Sequence, residues 1–278
     1  MIPDPGGSDS GPRPPLTFEL AFILAMLAPL VHMLSVLLLL SVGFRGTLPV
    51  VGMGALLAYT GIIALCAARF QRPPLEELAL VRPPAIAWLA VLLLASSVVV
   101  SSELDNWVKV FFPLPEPAEA AAEAGTEAQP FLGATLAIIQ LVVFPLAYEL
   151  FFRGILQPLA VARVGVTPGV LLTALFSATA SGLVFAGLWG LPPAFANALV
   201  LGVLRQASGS LWPPLALHAL TGAITLGAQY QLFGLAGFDD TSAPHTPVEW
   251  VAGAALLTAI GFGLLYVTSR SDSSAADH

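Results

Sequence analysis

Glu149 and Arg153 stand four residues apart in the run Phe144-Pro145-Leu146-Ala147-Tyr148-Glu149-Leu150-Phe151-Phe152-Arg153-Gly154. On a helix that spacing puts both on one face, with the glutamate N-terminal, the favoured order for an ion pair. Either the pair only makes two buried charges tolerable to each other, or it forms a polar centre at the cytoplasmic end of a membrane-embedded helix. His218 lies one to two turns into a second apolar segment, Trp212-Pro213-Pro214-Leu215-Ala216-Leu217-His218-Ala219-Leu220, whose prolines suit a first helical turn. It is either a neutral histidine bonded to a backbone carbonyl, or a donor or ligand at the depth of Glu149. His32 has no polar neighbours in sequence and reads as structural. Arg205 sits at the end of an apolar segment, where its head can reach water. Function is sought first at such residues because an ionisable side chain at mid-membrane costs about 2.5–3.5 kcal/mol on insertion scales.

Composition says why a membrane must be present. Apolar residues make up 57% of the 278 and charged ones only 10%, against about 25% charged in an average soluble domain. The expected architecture is all-α, a polytopic transmembrane helical bundle of about eight spans. They fall near 16–42, 48–70, 85–102, 131–149, 169–190, 193–206, 212–232 and 248–268, a full span needing about 20 apolar residues. The sixth is short and contains Asn197, so it is either a sheltered short helix or a re-entrant segment. Residues 150–164 are apolar but carry Arg153 and Arg163, and are expected as a helix against the cytoplasmic side of the bundle. Residues 1–15, rich in Gly, Pro, Ser and Asp, read as a disordered tail rather than a signal peptide. The membrane domain is expected over 16–270, with a C-terminal tail at 271–278.

Lysine and arginine placement orients the bundle. Arg69, Arg72 and Arg82 mark the second connection as cytoplasmic, and parity then adds Arg13, Arg153, Arg163, Arg205 and Arg270, leaving only Arg45 and Lys109 outside. Both termini are therefore expected in the cytoplasm of a plasma (inner) membrane protein. The segment 103–130, with Glu103, Asp105, Glu116, Glu119, Glu123 and Glu127, is expected as a flexible acidic extracytoplasmic loop. A net charge of −7 without a basic patch excludes a nucleic-acid partner. Cys66, the single cysteine, cannot form an intramolecular disulfide and reads as a small buried hydrophobe.

Three short motifs resemble those of the CPBP family of intramembrane endopeptidases, which includes type II CAAX prenyl proteases and bacteriocin self-immunity proteins. The family pattern is Glu-Glu-x-x-x-Arg, then Phe-x-x-x-His, then His-x-x-x-Asn. This chain has Tyr148-Glu149-x-x-x-Arg153-Gly154, then Phe185-x-x-x-Trp189, then His218-x-x-x-Gly222 after Gly-Ser-Leu-Trp. Order, spacing and flanks agree over about 136–225, with a family-like core expected at 131–232. In the family the first glutamate and the second-motif histidine are understood to activate water, and the last histidine and asparagine to stabilise the oxyanion. The resemblance thus implies that Glu149, Arg153 and His218 survive, and that Tyr148, Trp189 and Gly222 are degenerate positions.

The resemblance implies an intramembrane endopeptidase acting on prenylated or membrane-anchored protein, with proteolysis impaired or lost. A non-catalytic relative that binds a membrane protein or lipid-like segment is the alternative, and a transporter component a second one. Tyr148, Trp189 and His218 are expected to converge on one cavity. No cofactor is expected, since one histidine and one glutamate are too few for a usual zinc site. The orientation can be checked by cysteine labelling within 103–130: modification from outside intact cells is the expected outcome, and a cytoplasmic location would overturn it.

Overall fold

The computed structural model describes residues 14–44, 47–113, 130–185, 187–240 and 243–276. Residues 1–13, including Arg13, together with Arg45 and the loop residues Glu116, Glu119, Glu123 and Glu127, lie outside the described residues. The protein is an all-α bundle. Its helices are α1 (Phe18–Ser41), α2 (Thr47–Ala67), α3 (Pro74–Glu77), α4 (Ala85–Leu94) and α5 (Ser97–Phe111). A long composite helix follows, made of α6 (Pro130–Ile138), a π-helical segment (Ile139–Val143), α7 (Phe144–Tyr148), a second π-helical segment (Glu149–Leu156) and α8 (Gln157–Val164). Then come α9 (Val166–Phe185), a 3₁₀ turn (Gly187–Gly190), α10 (Leu191–Ser208), α11 (Trp212–Gln229) and α12 (Val248–Ala276).

Among the described residues, six helices are long and apolar enough to cross a membrane: Phe18–Ser41, Pro49–Ala67, Ala85–Phe111, Gly133–Val164, Leu188–Ser208 and Val248–Val267. Val166–Gly182 is a shorter apolar helix. The outward faces carry large apolar side chains such as Leu30, Leu34, Leu92, Leu175 and Leu256. In water such a surface would drive aggregation; against lipid it is the required one, because helices satisfy their own backbone groups and only side chains meet the hydrocarbon.

Three elements differ from the sequence expectation. Residues 150–164 are not a separate surface helix; they continue the fourth span without a break. The short sixth segment gains length from the preceding 3₁₀ turn and is long enough to span. The helix through Ser97 continues to Phe111, well into the segment expected as loop. The reason is a long-range contact. Buried Glu103 accepts the Thr246 amide (2.9 Å) and the Asn106 side-chain amide (3.0 Å), and meets His245 Nδ1 at 2.8 Å. An acid that reads as loop polarity is thus a strut tying α5 to the α11–α12 connection. In the same connection Asp239 accepts the amides of Phe233, Gly234 and Leu235 at 2.7, 3.0 and 2.5 Å. Desolvation works against its charge, but those amides outweigh it and hold the carboxyl below the ordinary aspartate range.

The core lies between α1, α2 and the composite helix. α1 packs along α2 and α9, and its contact face is Ala21, Ala25 and Ala28. Small residues suit this place because lipid supplies no hydrophobic drive between helices, so association depends on close approach. His32 on the same face donates from Nε2 to the Val51 carbonyl at 2.9 Å, the structural role its sequence context suggests. Overpacking costs about 1–3 kcal/mol, so Ala25→Leu should lower thermal stability in lipid nanodiscs by about that amount. Leu27→Val, on the lipid-facing side, should change it little; calorimetry or thermal scanning of both variants checks this.

Candidate functional site

Two prolines explain the shape of the composite helix. Pro145 and Pro158 each follow a π-helical segment by two residues. Proline has no N–H to give and its ring collides with the carbonyl four residues back. Widening the helix by one residue per turn relieves both problems: the Phe144 N–H bonds to Ile139 O and the Gln157 N–H to Phe152 O, five residues back. The second widened segment carries Glu149 and Arg153.

Glu149 is 0% exposed and Arg153 1%. Arg153 Nη1 donates to Glu149 Oε1 at 3.2 Å and to Ser177 Oγ of α9 at 2.8 Å. Its Nη2 donates to the Ala198 carbonyl of α10 at 2.8 Å. Gln157, one turn further, donates to the Gly202 carbonyl at 2.9 Å. Glu149 Oε1 also meets His218 Nδ1 of α11 at 2.8 Å. The glutamate and arginine do form an intrahelical pair, and the histidine's polar partner is Glu149 rather than a backbone carbonyl.

His218 is aimed by the turn that precedes its helix. Gly209 adopts the left-handed conformation, φ +63°, that closes α10. Ser210 Oγ then donates to the Val81 carbonyl at 2.6 Å and accepts the Trp212 amide at 3.3 Å, while the Leu211 amide bonds to Ala79 O at 2.9 Å. The Gly-Ser-Leu-Trp run is therefore an anchor that fixes where α11 starts.

A cavity of about 250 Å³ lies among these helices, and Tyr148, Arg153, Ser177, Asn197, His218 and Gly222 are among its walls. Tyr148 is buried, with its ring centroid 4.9 Å from Tyr59, 6.0 Å from Phe144, 6.1 Å from Phe152 and 6.4 Å from His218. Phe144 and Tyr148 thus bring aromatic rings to the cavity wall and Arg153 and His218 bring polar groups, with Glu149 buried behind them. Adjacent positions on a regular α-helix diverge by about 100°, which would turn Glu149 away from the cleft of Tyr148. The π-helical widening reduces that step, and both residues reach His218.

Two of the degenerate positions behave otherwise than their spacing suggests. Trp189 is not part of this cavity wall; its indole N–H donates to the Phe112 carbonyl at 2.7 Å, at the free end of α5. The expected convergence holds for Tyr148 and His218 and fails for Trp189. Gly222 lines the cavity, but a Cβ there would come 2.7 Å from the Gln140 carbonyl in the first π-helical segment. The backbones are in contact, so an asparagine at this position requires α11 to move. Asn197 was visible in the sequence only as a polar interruption of the sixth segment; the structure brings it to the cleft beside Ala198, the residue whose carbonyl Arg153 takes. Among the described residues no group of three or more His, Cys, Asp or Glu side chains is placed to hold a metal.

Removing one member of a buried pair leaves an uncompensated charge, at a cost of about 3–5 kcal/mol. Arg153→Leu should therefore destabilise the bundle by about that much in denaturant titrations in mixed micelles. Arg153→Lys should recover only part, since one ammonium cannot reach Glu149, Ser177 and Ala198 together. The double change Glu149→Leu, Arg153→Leu should be milder than Arg153→Leu alone.

Residues 130–224 match the family model for Type II CAAX prenyl endopeptidase Rce1-like proteins. No curated protein and no solved structure matches the chain. The matched segment begins with the composite helix that carries Tyr148, Glu149 and Arg153 and ends on α11, just past His218 and Gly222. Over those residues the chain is similar to Rce1-like proteins, which supports a CAAX-protease-like fold in an integral membrane protein and a place in the CPBP family.

Proposed function

We propose that the chain keeps the family cleft as a binding site for a prenylated or membrane-anchored protein segment, with proteolytic activity impaired or lost. The observation that carries this is Tyr148, a phenol packed among Tyr59, Phe144 and Phe152, at the position where the family is understood to use a carboxylate to activate water. A phenol, with an ordinary pKa near 10, is a poor general base at neutral pH. Trp189 supplies no imidazole to this cavity, and Gly222 supplies no carboxamide. General-base catalysis contributes about 10²–10⁴-fold and an oxyanion donor about 10²–10³-fold. These factors are not additive, yet the loss of either alone is enough to bring turnover near background.

The surviving Glu149, Arg153 and His218 support the binding role, because they keep a polar, hydrogen-bonded floor under a cleft that membrane-embedded segments can enter. The transporter alternative has no comparable support in one polar cluster. Both termini are placed in the cytoplasm of the plasma (inner) membrane by the arginine and lysine bias, which puts the acidic 103–130 segment outside.

Purified protein in nanodiscs should leave farnesylated CAAX-type peptides intact over hours, as followed by mass spectrometry. The same peptides carrying a photoreactive group should crosslink to residues of the cleft, α11 foremost. Cleavage by the unmodified protein that disappears in Glu149→Gln or His218→Ala would show an active peptidase and overturn the loss of activity. Absence of crosslinking would overturn the binding role.

A further inference from the structure

The cleft's hydrogen-bonding character can be read from the atoms already paired. Glu149 Oε1 accepts from Arg153 Nη1 at 3.2 Å and lies 2.8 Å from His218 Nδ1. With a guanidinium donating to that oxygen, the carboxylate is the acceptor and the hydrogen in the second contact sits on Nδ1. In the neutral form, which has one N–H and one lone pair, that leaves the lone pair on Nε2. Nδ1 points at a fully buried glutamate, while the ring itself is a quarter exposed and lines the cavity. Nε2, on the far side of the ring, is therefore the nitrogen presented to the cavity.

Asn197 lines the same cavity from α10, and its side-chain amide has no hydrogen-bond partner among the described residues. Arg153 donates through Nη1 to Glu149 and Ser177 and through Nη2 to the Ala198 carbonyl. Its Nε and Glu149 Oε2 have no partner among the described residues, but both atoms are buried, and a carboxylate ligand would sit one imidazole away from the Glu149 carboxylate. Charge complementarity thus argues against an anion and for a neutral group.

We propose that the cleft recognises a neutral amide: its N–H goes to His218 Nε2, and its carbonyl takes the Asn197 side-chain N–H. A peptide unit offers this donor and acceptor together. In hydrocarbon the amides of a helix are consumed by the helix itself, so the occupant is a locally unwound stretch of a membrane-anchored chain. This rests on the binding role proposed above and gives it a chemistry: Asn197 brings from α10 a carboxamide that Gly222 lacks room to carry.

The test uses the full chain in nanodiscs, labelled with ¹⁵N-histidine, and three probes: N-dodecanoylglycinamide, its methyl ester analogue and its free carboxylate. Before any probe is added, the His218 nitrogens should report hydrogen on Nδ1 and a lone pair on Nε2. The amide should shift Nε2 and bind at least tenfold tighter than the carboxylate, with the ester between them. His218→Phe and Asn197→Leu should each abolish that preference. If His218→Phe does not fold, Asn197→Leu and the tautomer of the unmodified protein decide the matter. A hydrogen on Nε2, or a carboxylate that binds as tightly as the amide, overturns the proposal. Crosslinking of farnesylated peptide without any amide preference sinks this inference alone, whereas failure of that crosslinking removes the binding role beneath it.

Discussion

The bundle is organised around a charged pair that the membrane would otherwise reject. Glu149 and Arg153 have no access to solvent, and taking two ions out of water costs several kcal/mol each before any attraction is counted. The structure offsets this by giving the guanidinium a carboxylate, a hydroxyl and a carbonyl from three different helices. Each acceptor fixes the position of the helix that brings it. The polar centre is thus also the geometric centre from which α9, α10 and α11 take their places around the composite helix.

Around that centre, the groups that shape the cleft and those that would act on a bound peptide are different atoms. Everything needed to hold a cleft between these helices is present: the arginine that ties them, the turn that starts α11, and the histidine one to two turns beyond it. On the proposed reading, what is replaced is the set of groups that would act on a bound peptide. An aromatic ring occupies the base position within a continuous aromatic wall, and a backbone contact occupies the space of the asparagine. These replacements suit packing, and a cleft can keep its shape and its hydrogen-bonding floor after such changes because different atoms serve the two purposes.

Much of this was legible in the sequence. The apolar segments gave the helices, and the four-residue spacing of Glu149 and Arg153 gave their pairing, because both depend on local periodicity. The Gly-Ser-Leu-Trp turn marked the start of α11 because glycine and proline constrain the backbone wherever they stand. What could not be read depends on contacts between distant segments. Glu103 looked like loop polarity because its partners, Thr246 and His245, lie far along the chain. Trp189 stood at a motif position by count, yet its indole is claimed by a carbonyl at the end of α5. Gly222 gave no sign that Gln140 runs against it. The union of the fourth span with residues 150–164 was hidden by the arginines, which read as an interface signal although one of them is buried.

The π-helical stretches carry a consequence for how the motif is aligned. Counting residues along a sequence fixes order, but it does not fix direction once a helix changes its winding. Here the extra residue in each widened turn acts as a phase shift, setting the rotation of everything after Tyr148 relative to everything before it. Loss of one residue between Arg153 and Leu156 would restore ordinary winding and leave the motif letters intact. It would also swing the downstream residues about 100° around the axis, carrying Gln157 away from the Gly202 carbonyl. For this chain the length of the segment is as much a part of the site as the identity of its side chains.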